Sequence, residues 1–417
     1  MGRSFFVHRL LRDGDDRQRK FRCSVGRSNA WNMVLVFDRF RHWLRDDLSL
    51  PSYAGALKIC HLIEENPGVW CAWDFESMTK IHIDREARVV ITGAGGFIGG
   101  HMVRSLRDKG VRHIRAVDRK PFDEWYQTLD DVENLHLDLA SLDSCKVAAR
   151  RADYIFNLAA DMGGMGFIEV NKGLCMLSVL TSTHMLVAAR DAGIERFFYS
   201  SSACVYNASK QTDPVNTGLA EEDAYPAMPE DGYGWEKLFS ERMARHFAED
   251  FGLETRVARY HNVYGPWGTY DGGREKAPAA ICRKVIEAKR SGNHEIEIWG
   301  DGEQTRSFMY IDDCIHGTLA LMQSDVREPV NIGSDELVSI NQLVSLVEDI
   351  AGVTLRRRYN LDAPKGVRGR NSDNSKIKDV LNWAPSIRLR DGLERTYTWI
   401  DEQMRSEKPA ARAVFAA

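Results

Sequence analysis

The chain has 417 residues, 43% of them hydrophobic and 28% charged, with a formal net charge of -4. These proportions suit a folded globular chain and exclude a disordered one; length alone permits one large domain or two to three smaller ones. A slight acidic excess offers no basic surface for nucleic acid, and no run of about 18 apolar residues is seen to span a bilayer, so neither nucleic acid nor membrane is expected as a partner.

Residues 1–85 are rich in arginine and aspartate, carry isolated tryptophans, and show only broken helical periodicity from Trp31 to Leu50. No motif sits there. Three readings stay open: a family-specific appendage, a small partner-binding module, or sequence upstream of a start at Met78, just before the first well-formed strand. The N-terminus lacks the basic-then-apolar pattern of a secretory signal, and Asp13, Asp15 and Asp16 argue against an acid-poor transit peptide. Eight cysteines, at 23, 60, 71, 145, 175, 204, 282 and 314, form no C-x-x-C pair. Their spacing fits neither a disulfide framework nor a metal site, so reduced thiols in the cytoplasm are expected, with no metal.

From Ala87 the pattern changes. Arg88–Thr92 is a β-branched run that hardly alternates, as a strand buried on both faces of a parallel sheet would read. A glycine-rich turn and a helix from Phe97 to about Lys109 follow. Further strands are predicted at 114–117, 135–137, 154–158, 196–200 and 255–260, with helices at 177–192 and 235–251 among them. Alternating strand and helix predicts an α/β fold, a Rossmann-type doubly wound parallel sheet. Beyond about residue 265 the rhythm turns irregular, with Gly-, Pro- and Asp-rich loops between short helices. Residues 86–265 therefore read mainly as a dinucleotide-binding domain. Residues 266–405 read as a smaller C-terminal substrate lobe interleaved with it, and 406–417 as a tail.

Gly93-Ala-Gly-Gly96-Phe97-Ile98-Gly99 follows the first strand and opens the first helix. A tight turn, close backbone approach to a pyrophosphate and helix N-terminal amides facing an anion all require this arrangement. Asp118 ends the second strand, where a carboxylate accepts hydrogen bonds from an adenosine ribose and repels a 2′-phosphate. NAD is therefore favoured over NADP, although the cations Arg119 and Lys120 beside it work in the other direction. Asp138, after the third strand, either meets the adenine amino group or caps the helix near Ser141.

Two later segments carry chemistry: Tyr199-Ser-Ser-Ser202-Ala-Cys204-Val-Tyr206 at a strand end, and Tyr233-Gly-Trp-Glu-Lys237 at a helix start. Tyrosine and lysine four apart share a helical face, and a cation near a phenol favours the phenolate. That gives a base for a sugar hydroxyl, with the serine holding the same oxygen while hydride leaves for NAD.

With Gly93, Gly96 and Gly99, Asn157-Leu-Ala-Ala160, Ser202, Tyr233 and Lys237, Gly300-Asp-Gly-Glu-Gln304-Thr305-Arg306-Ser-Phe and Leu381-Asn-Trp-Ala-Pro385, the chain resembles the extended short-chain dehydrogenase/reductase family of nucleotide-sugar enzymes over about residues 87–400. More specific are Ala160-Asp-Met-Gly163-Gly-Met-Gly-Phe167, Ser202-Ala-Cys204, His261-Asn262-Val-Tyr-Gly-Pro266, Gly272-Gly-Arg-Glu275-Lys276-Ala277-Pro-Ala-Ala280 and Gly366-Val-Arg-Gly-Arg370-Asn-Ser-Asp373. These resemble the branch that epimerises a GDP-sugar. The first 85 residues match nothing in the family, and Asn171–Thr183 departs from its pattern.

The resemblance implies an isomerase with tightly bound NAD. Tyr233, Lys237 and Ser202 would oxidise the C4 hydroxyl to a ketone, which acidifies the C–H bonds at C3 and C5. Cys204 and Lys276 would then act as base and acid on opposite faces, and return of the hydride leaves no net redox change. The bland reading of Cys204 is a small buried hydrophobe, and of Lys276 one exposed cation among many. Arg306 and Arg370 would bind the diphosphate, arginine being suited to phosphate by its fork of donors, with Gly163, Asn262, Glu275, Ala277, Lys284, Gln304 and Thr305 as further substrate contacts. A homodimer is implied because relatives often pair two helices from each subunit. Rival readings are a 4-epimerase, a dehydratase or a decarboxylase of the same fold, and a non-catalytic NAD-binding regulator. Ala203 and Cys204 stand where a dehydratase would carry an acidic pair.

Overall fold

A computed structural model describes residues 5–7, 21–23, 83–215 and 218–406. Met1–Thr79 and Lys80–Ala417 are two compact units. In the first, β1 (Phe5–Val7) pairs antiparallel with β2 (Phe21–Cys23). The helix-like stretch Trp31–Leu50 and the tail beyond residue 406 lie outside the described residues.

In the second unit β3 (Arg88–Thr92), β4 (His113–Asp118), β5 (Glu133–His136), β6 (Tyr154–Asn157), β7 (Arg196–Ser202) and β8 (Thr255–Tyr260) come in chain order. After them follow β9 (Val263–Tyr264), β10 (Glu295–Trp299), β11 (Thr305–Ser307), β12 (Met309–Tyr310), β13 (Val330–Ile332), β14 (Leu337–Ser339), β15 (Arg356–Asn360) and β16 (Gly369–Arg370). Seven of them make one parallel sheet in the order β13-β8-β7-β6-β3-β4-β5. That is the doubly wound Rossmann arrangement. The chain leaves β3 first toward β4 and β5, then returns to build outward from β6, so the crevice at the carboxyl ends of β3 and β6 is the switch point where such folds bind ligands.

The core explains why β3 fails to alternate. Val89 and Ile91 belong to one buried layer with Met102 and Leu106 of the helix Phe97–Asp108. Val90 points into the opposite layer with Leu186 and Ala189 of the helix Ser178–Ala192. Each such side chain contributes roughly 1.5–3 kcal/mol by leaving water. At the strand ends Thr92 Oγ1 donates to Asn157 Oδ1 at 2.8 Å and accepts from the amides of Leu158 and Ala159 at 3.1 Å.

Two features differ from expectation. Helices beyond residue 265 are regular rather than short: Ala277–Ser291, Ile311–Met322, Ile340–Ala351 and Leu389–Ser406. The same region supplies β13, whose three residues are too few to show a period. Against the expectation that no apolar run is long enough to span a bilayer, an 18-residue window within Lys172–Ala192 reaches a mean hydropathy of 1.3, apolar enough to cross a membrane by length and composition alone. Its leucines, valines and methionines outweigh the mildly polar serines and threonines and the single histidine. In the fold the run breaks at Leu177, and Met185, Leu186, Ala188 and Ala189 face the core.

Candidate active site

The glycine turn is built for close approach. A Cβ at Gly99 would stand 2.1 Å from the Gly93 oxygen, and Gly93 itself has φ +70° against the Ala159 backbone. The helix that follows starts at Phe97 without a side-chain cap and without an acidic residue in its first turn, so its leading amides face an anion site unopposed. These features fit a dinucleotide pyrophosphate. Phe97 and Ile98 pack against the core rather than into open space. Asp118 accepts the Gly95 amide at 3.0 Å and the Lys120 amide at 3.0 Å, which fixes its carboxylate beside the turn. Asp138 is exposed and accepts the Ala140 amide at 2.9 Å, a local turn ahead of the helix Leu142–Ala149, whose N-cap is Ser141 without a side-chain cap bond.

Ser202 ends β7, and Cys204 follows in a single 3-10 turn whose start is capped by Ser202 Oγ accepting the Cys204 amide at 3.2 Å. The helix Asp231–Phe251 lies directly on this turn: a Cβ at Gly234 would stand 2.3 Å from the Cys204 carbonyl oxygen. Tyr233 and Lys237, one turn apart on that helix, are thereby brought to the strand end. Lys237 Nζ donates to the Ser200 carbonyl at 3.0 Å and lies 5.6 Å from the centre of the Tyr233 ring. Both side chains are buried.

Lys237 was expected to lower the phenol's pKa, and here the balance runs the other way. Burial pushes Tyr233 well above the ordinary tyrosine value, the Cys204 and Glu236 charges add to the rise, and only the Ser202 hydrogen bond opposes it. The Lys237 ammonium is turned to the Ser200 carbonyl, with buried Glu236 3.8 Å from it.

Lys276 stands at the N-cap of Ala277–Ser291, fixed by Pro278 in the first turn and preceded by the positive-φ pair Gly272 and Gly273. Its pKa is lowered, by burial first; Arg370 lowers it further, and the thiols of Cys204 and Cys314 act against that. The same loop packs on the glycine-rich run of residues 161–167. Gly164 donates to the Arg274 carbonyl at 3.0 Å, and a Cβ at Gly163 would meet Phe167 at 2.9 Å.

The cations gather through sheet register. β11 pairs parallel with β16, which sets Arg306 opposite Arg370. Arg370 donates to Glu230 at 2.5 Å, to Gln211 at 2.6 Å and to Cys204 Sγ at 3.5 Å. Burial alone would raise the Glu230 carboxyl, but Arg370 and then Arg306 hold it below its ordinary value. Arg306 donates to the carbonyls of Thr305 at 2.7 Å and Val367 at 2.5 Å and, among the described residues, pairs with no carboxylate. Burial and then the Arg370 charge pull it down to about 10. Of the two arginines near Cys204 only Arg370 is, among the described residues, paired with a carboxylate, an excess of positive charge that suits a diphosphate.

The other candidates are less concentrated. Lys284 donates to the Glu297 carbonyl at 3.0 Å, and Asn262 to the Ser307 carbonyl at 3.1 Å. Thr305 Oγ1 donates to the Pro214 carbonyl at 2.5 Å. Glu275 accepts the Gly273 amide at 2.6 Å and faces Arg283 at 3.5 Å; Ala277 opens the helix behind it. Gln304 donates to the Trp299 carbonyl at 2.8 Å while its buried Oε1 has no partner among the described residues. Glu230, Gln211 and Glu236 were not singled out from the sequence. Their partners lie 140 and 159 residues away for the first two, so no local pattern announces them.

Fold and site together define a dinucleotide-dependent enzyme of the short-chain dehydrogenase/reductase kind. Residues 89–333 match the NAD dependent epimerase/dehydratase family, and the chain belongs to that family. It is 49% identical over 322 residues to GDP-mannose 3,5-epimerase 1 of Oryza sativa subsp. indica, covering 77% of this chain and 83% of that one. It is 46% identical over 343 residues to GDP-mannose 3,5-epimerase of Arabidopsis thaliana, covering 80% and 89%. Among solved structures, UDP-glucose 4-epimerase of Thermotoga maritima with UDP-glucose superposes with a TM-score of 0.68 at 25% identity, over 76% of this chain and 99% of that one. UDP-glucuronic acid 4-epimerase of Bacillus cereus, in complex with UDP-glucuronic acid and NAD, gives 0.65 at 25% identity, over 76% and 99%.

Proposed function

We propose that this chain epimerises GDP-mannose at C3 and C5, giving GDP-L-galactose, with NAD at the glycine turn. The observation that carries this reading is the convergence of Cys204, Lys276 and the Arg306/Arg370 pair where Tyr233, on its helix, meets Ser202 at the end of β7. A plain 4-epimerase has no use for a thiol and an ammonium beside the tyrosine.

NAD, when bound, supplies the acceptor and later the donor of one hydride and adds a positive charge near the phenol. Tyr233 takes the proton of the C4 hydroxyl while Ser202 holds the oxygen, and the Lys237 charge works for the phenolate against burial. Once C4 is a ketone, the C–H bonds at C3 and C5 are acidic. Cys204 as thiolate removes a proton, leaving an enolate, and Lys276 as ammonium returns one to the opposite face. Gly93, Gly96, Gly99 and Asp118 hold the dinucleotide; Arg306 and Arg370 hold the diphosphate, with Gly163, Asn262, Glu275, Ala277, Lys284, Gln304 and Thr305 around the rest of the substrate. In this reading residues 86–265 serve mainly the cofactor and 266–405 mainly the nucleotide-sugar.

A homodimer in the cytoplasm belongs to the same proposal. The helices Ser178–Ala192 and Asp231–Phe251 pack on each other and carry exposed Leu180, Trp235 and Phe239, with exposed Leu177 just before the first, apolar surface suited to a second copy. The five cysteines whose side chains are described, Cys145, Cys175, Cys204, Cys282 and Cys314, are unpaired, which suits a reducing compartment.

The test is incubation with GDP-mannose in heavy water, read by NMR. Deuterium is expected at C5, usually with C3, and is expected to vanish in Cys204→Ala. Full-rate labelling in that variant would remove the thiol from the mechanism; a product changed only at C4 and free of label would favour a 4-epimerase.

A further inference from the structure

Asp118 is followed by two cations, Arg119 and Lys120, at the place where an adenosine ribose would meet the end of β4. Either cation, if free, would welcome a 2′-phosphate. In the fold neither is free. Arg119 donates to Asp161 Oδ1 at 2.7 Å, and its backbone carbonyl is held by His136 at 2.8 Å. Lys120 Nζ lies 5.0 Å from the centre of the Tyr126 ring, and the Lys120 carbonyl accepts the Trp125 indole N–H at 3.0 Å.

Asp161 cannot follow Arg119 outward. Its side chain is 11% exposed, against 55% for Arg119, and a second guanidinium, Arg274, faces the same carboxylate oxygen at 3.6 Å. Arg274 is itself anchored, lying 3.7 Å over the Phe167 ring and donating to the Met162 carbonyl at 3.2 Å. The Asp161 amide is tied to Ser178 Oγ at 2.9 Å. A largely buried carboxylate that also faces Arg274 thus holds the exposed Arg119, leaving Asp118 as the charge that the ribose hydroxyls meet.

We propose that Asp161 is a specificity-determining residue for the cofactor: by capturing Arg119 it denies a 2′-phosphate its cation and selects NAD over NADP. The proposal rests on the cofactor placement argued above. A carboxylate beyond the end of β6 would set the choice, by holding a charge that the sequence places at the ribose.

The experiment uses the full-length protein freed of nucleotide, titrated with NAD+ and NADP+ by calorimetry. Asp161→Asn keeps the shape and drops the charge. The ratio of Kd for NADP+ to Kd for NAD+ is expected to fall at least about tenfold, the order of one charge-assisted hydrogen bond. Adding Arg119→Ala to that variant is expected to restore the wild-type ratio. An unchanged ratio in folded Asp161→Asn, or a double variant that keeps the lowered ratio, would overturn the proposal. Should Asp161→Asn fail to fold, Arg119→Ala alone decides. A ratio within about twofold of wild type, on the same charge argument, supports capture; a tenfold rise means Arg119 already serves the phosphate and overturns it. Wild-type protein that binds NAD+ while the variants behave otherwise leaves the cofactor placement standing; wild-type protein that binds neither dinucleotide overturns both.

Discussion

Lys276 is useful as an acid only while it carries its proton, and its surroundings make that proton easier to lose. Burial disfavours the ammonium and Arg370 repels it, so its pKa lies below the ordinary lysine value. As pH rises the acid form disappears earlier than for a solvated lysine. The alkaline limb of kcat should therefore fall below the lysine range, and Lys276→Arg, which cannot be deprotonated there, should move that limb upward at reduced rate. A pH–rate profile of both proteins checks this; identical alkaline limbs would take Lys276 out of the acid role. At Tyr233 the opposite bias holds, since burial favours the neutral phenol, and the phenolate depends on charges that arrive with the cofactor.

The element that matters most is the helix Asp231–Phe251, because it positions tyrosine and lysine by lying on the turn that carries the thiol. Contact at Gly234 is so close that no β-carbon fits beside the Cys204 carbonyl oxygen. Gly234→Ala, ordinarily favourable in a helix, should push helix and turn apart and misalign Tyr233 with Cys204. A misplacement of about 1 Å costs on the order of 100-fold in rate. The expected outcome is a folded protein, by circular dichroism, whose kcat falls at least about tenfold while KM for the nucleotide-sugar changes little. A variant of normal kcat would show that this contact does not set the alignment. β11 and β16 illustrate the same point at the substrate end: two- and three-residue strands suffice to set Arg306 beside Arg370.

For the whole molecule, assembly and stability each make a claim. If the apolar face of Ser178–Ala192 and Asp231–Phe251 joins two copies, Leu180→Glu with Phe239→Glu should convert a dimer to a monomer in light scattering, since buried unpaired carboxylates at an interface core are strongly unfavourable. An unchanged mass would exclude this face. Stability is tied to a polar network beneath the site, where His261 shares Asn331 with Tyr206 and Arg259 forms a two-pronged pair with Glu241 at 2.9 and 2.7 Å. Burial drives His261 down to about 3, with Arg370 and Arg259 adding to the fall against the Asn331 hydrogen bond. The unfolded chain binds this proton below about pH 6.5 and the native one only near its lowered value. Its contribution is thus complete above 6.5 and is lost as pH falls. Between pH 6.5 and 5 the loss is about 2 kcal/mol. Urea midpoints should show it in the wild type, and His261→Asn, although less stable, should show a flatter acid side; parallel curves would contradict the assignment.

What the residues determined alone was whatever depends on near neighbours. β3 was legible to the residue because a β-branched run buried on both faces leaves no polar alternation; β8 also kept its predicted bounds, although buried Arg256 and Arg259 interrupt its apolar residues. The glycine turn and the Tyr233/Lys237 pair were legible because their spacing is itself the geometry. β13 was not, since three residues carry no period, and the apolar character of Lys172–Ala192 was hidden by uncharged polar side chains. Only the folded chain decided which distant charges meet. Glu230 and Gln211 reach Arg370, Glu236 lies beside Lys237, and Asp161 takes Arg119. Electrostatic balance falls off with distance in space rather than along the chain, so the protonation of the site and the charge left facing the cofactor are tertiary properties.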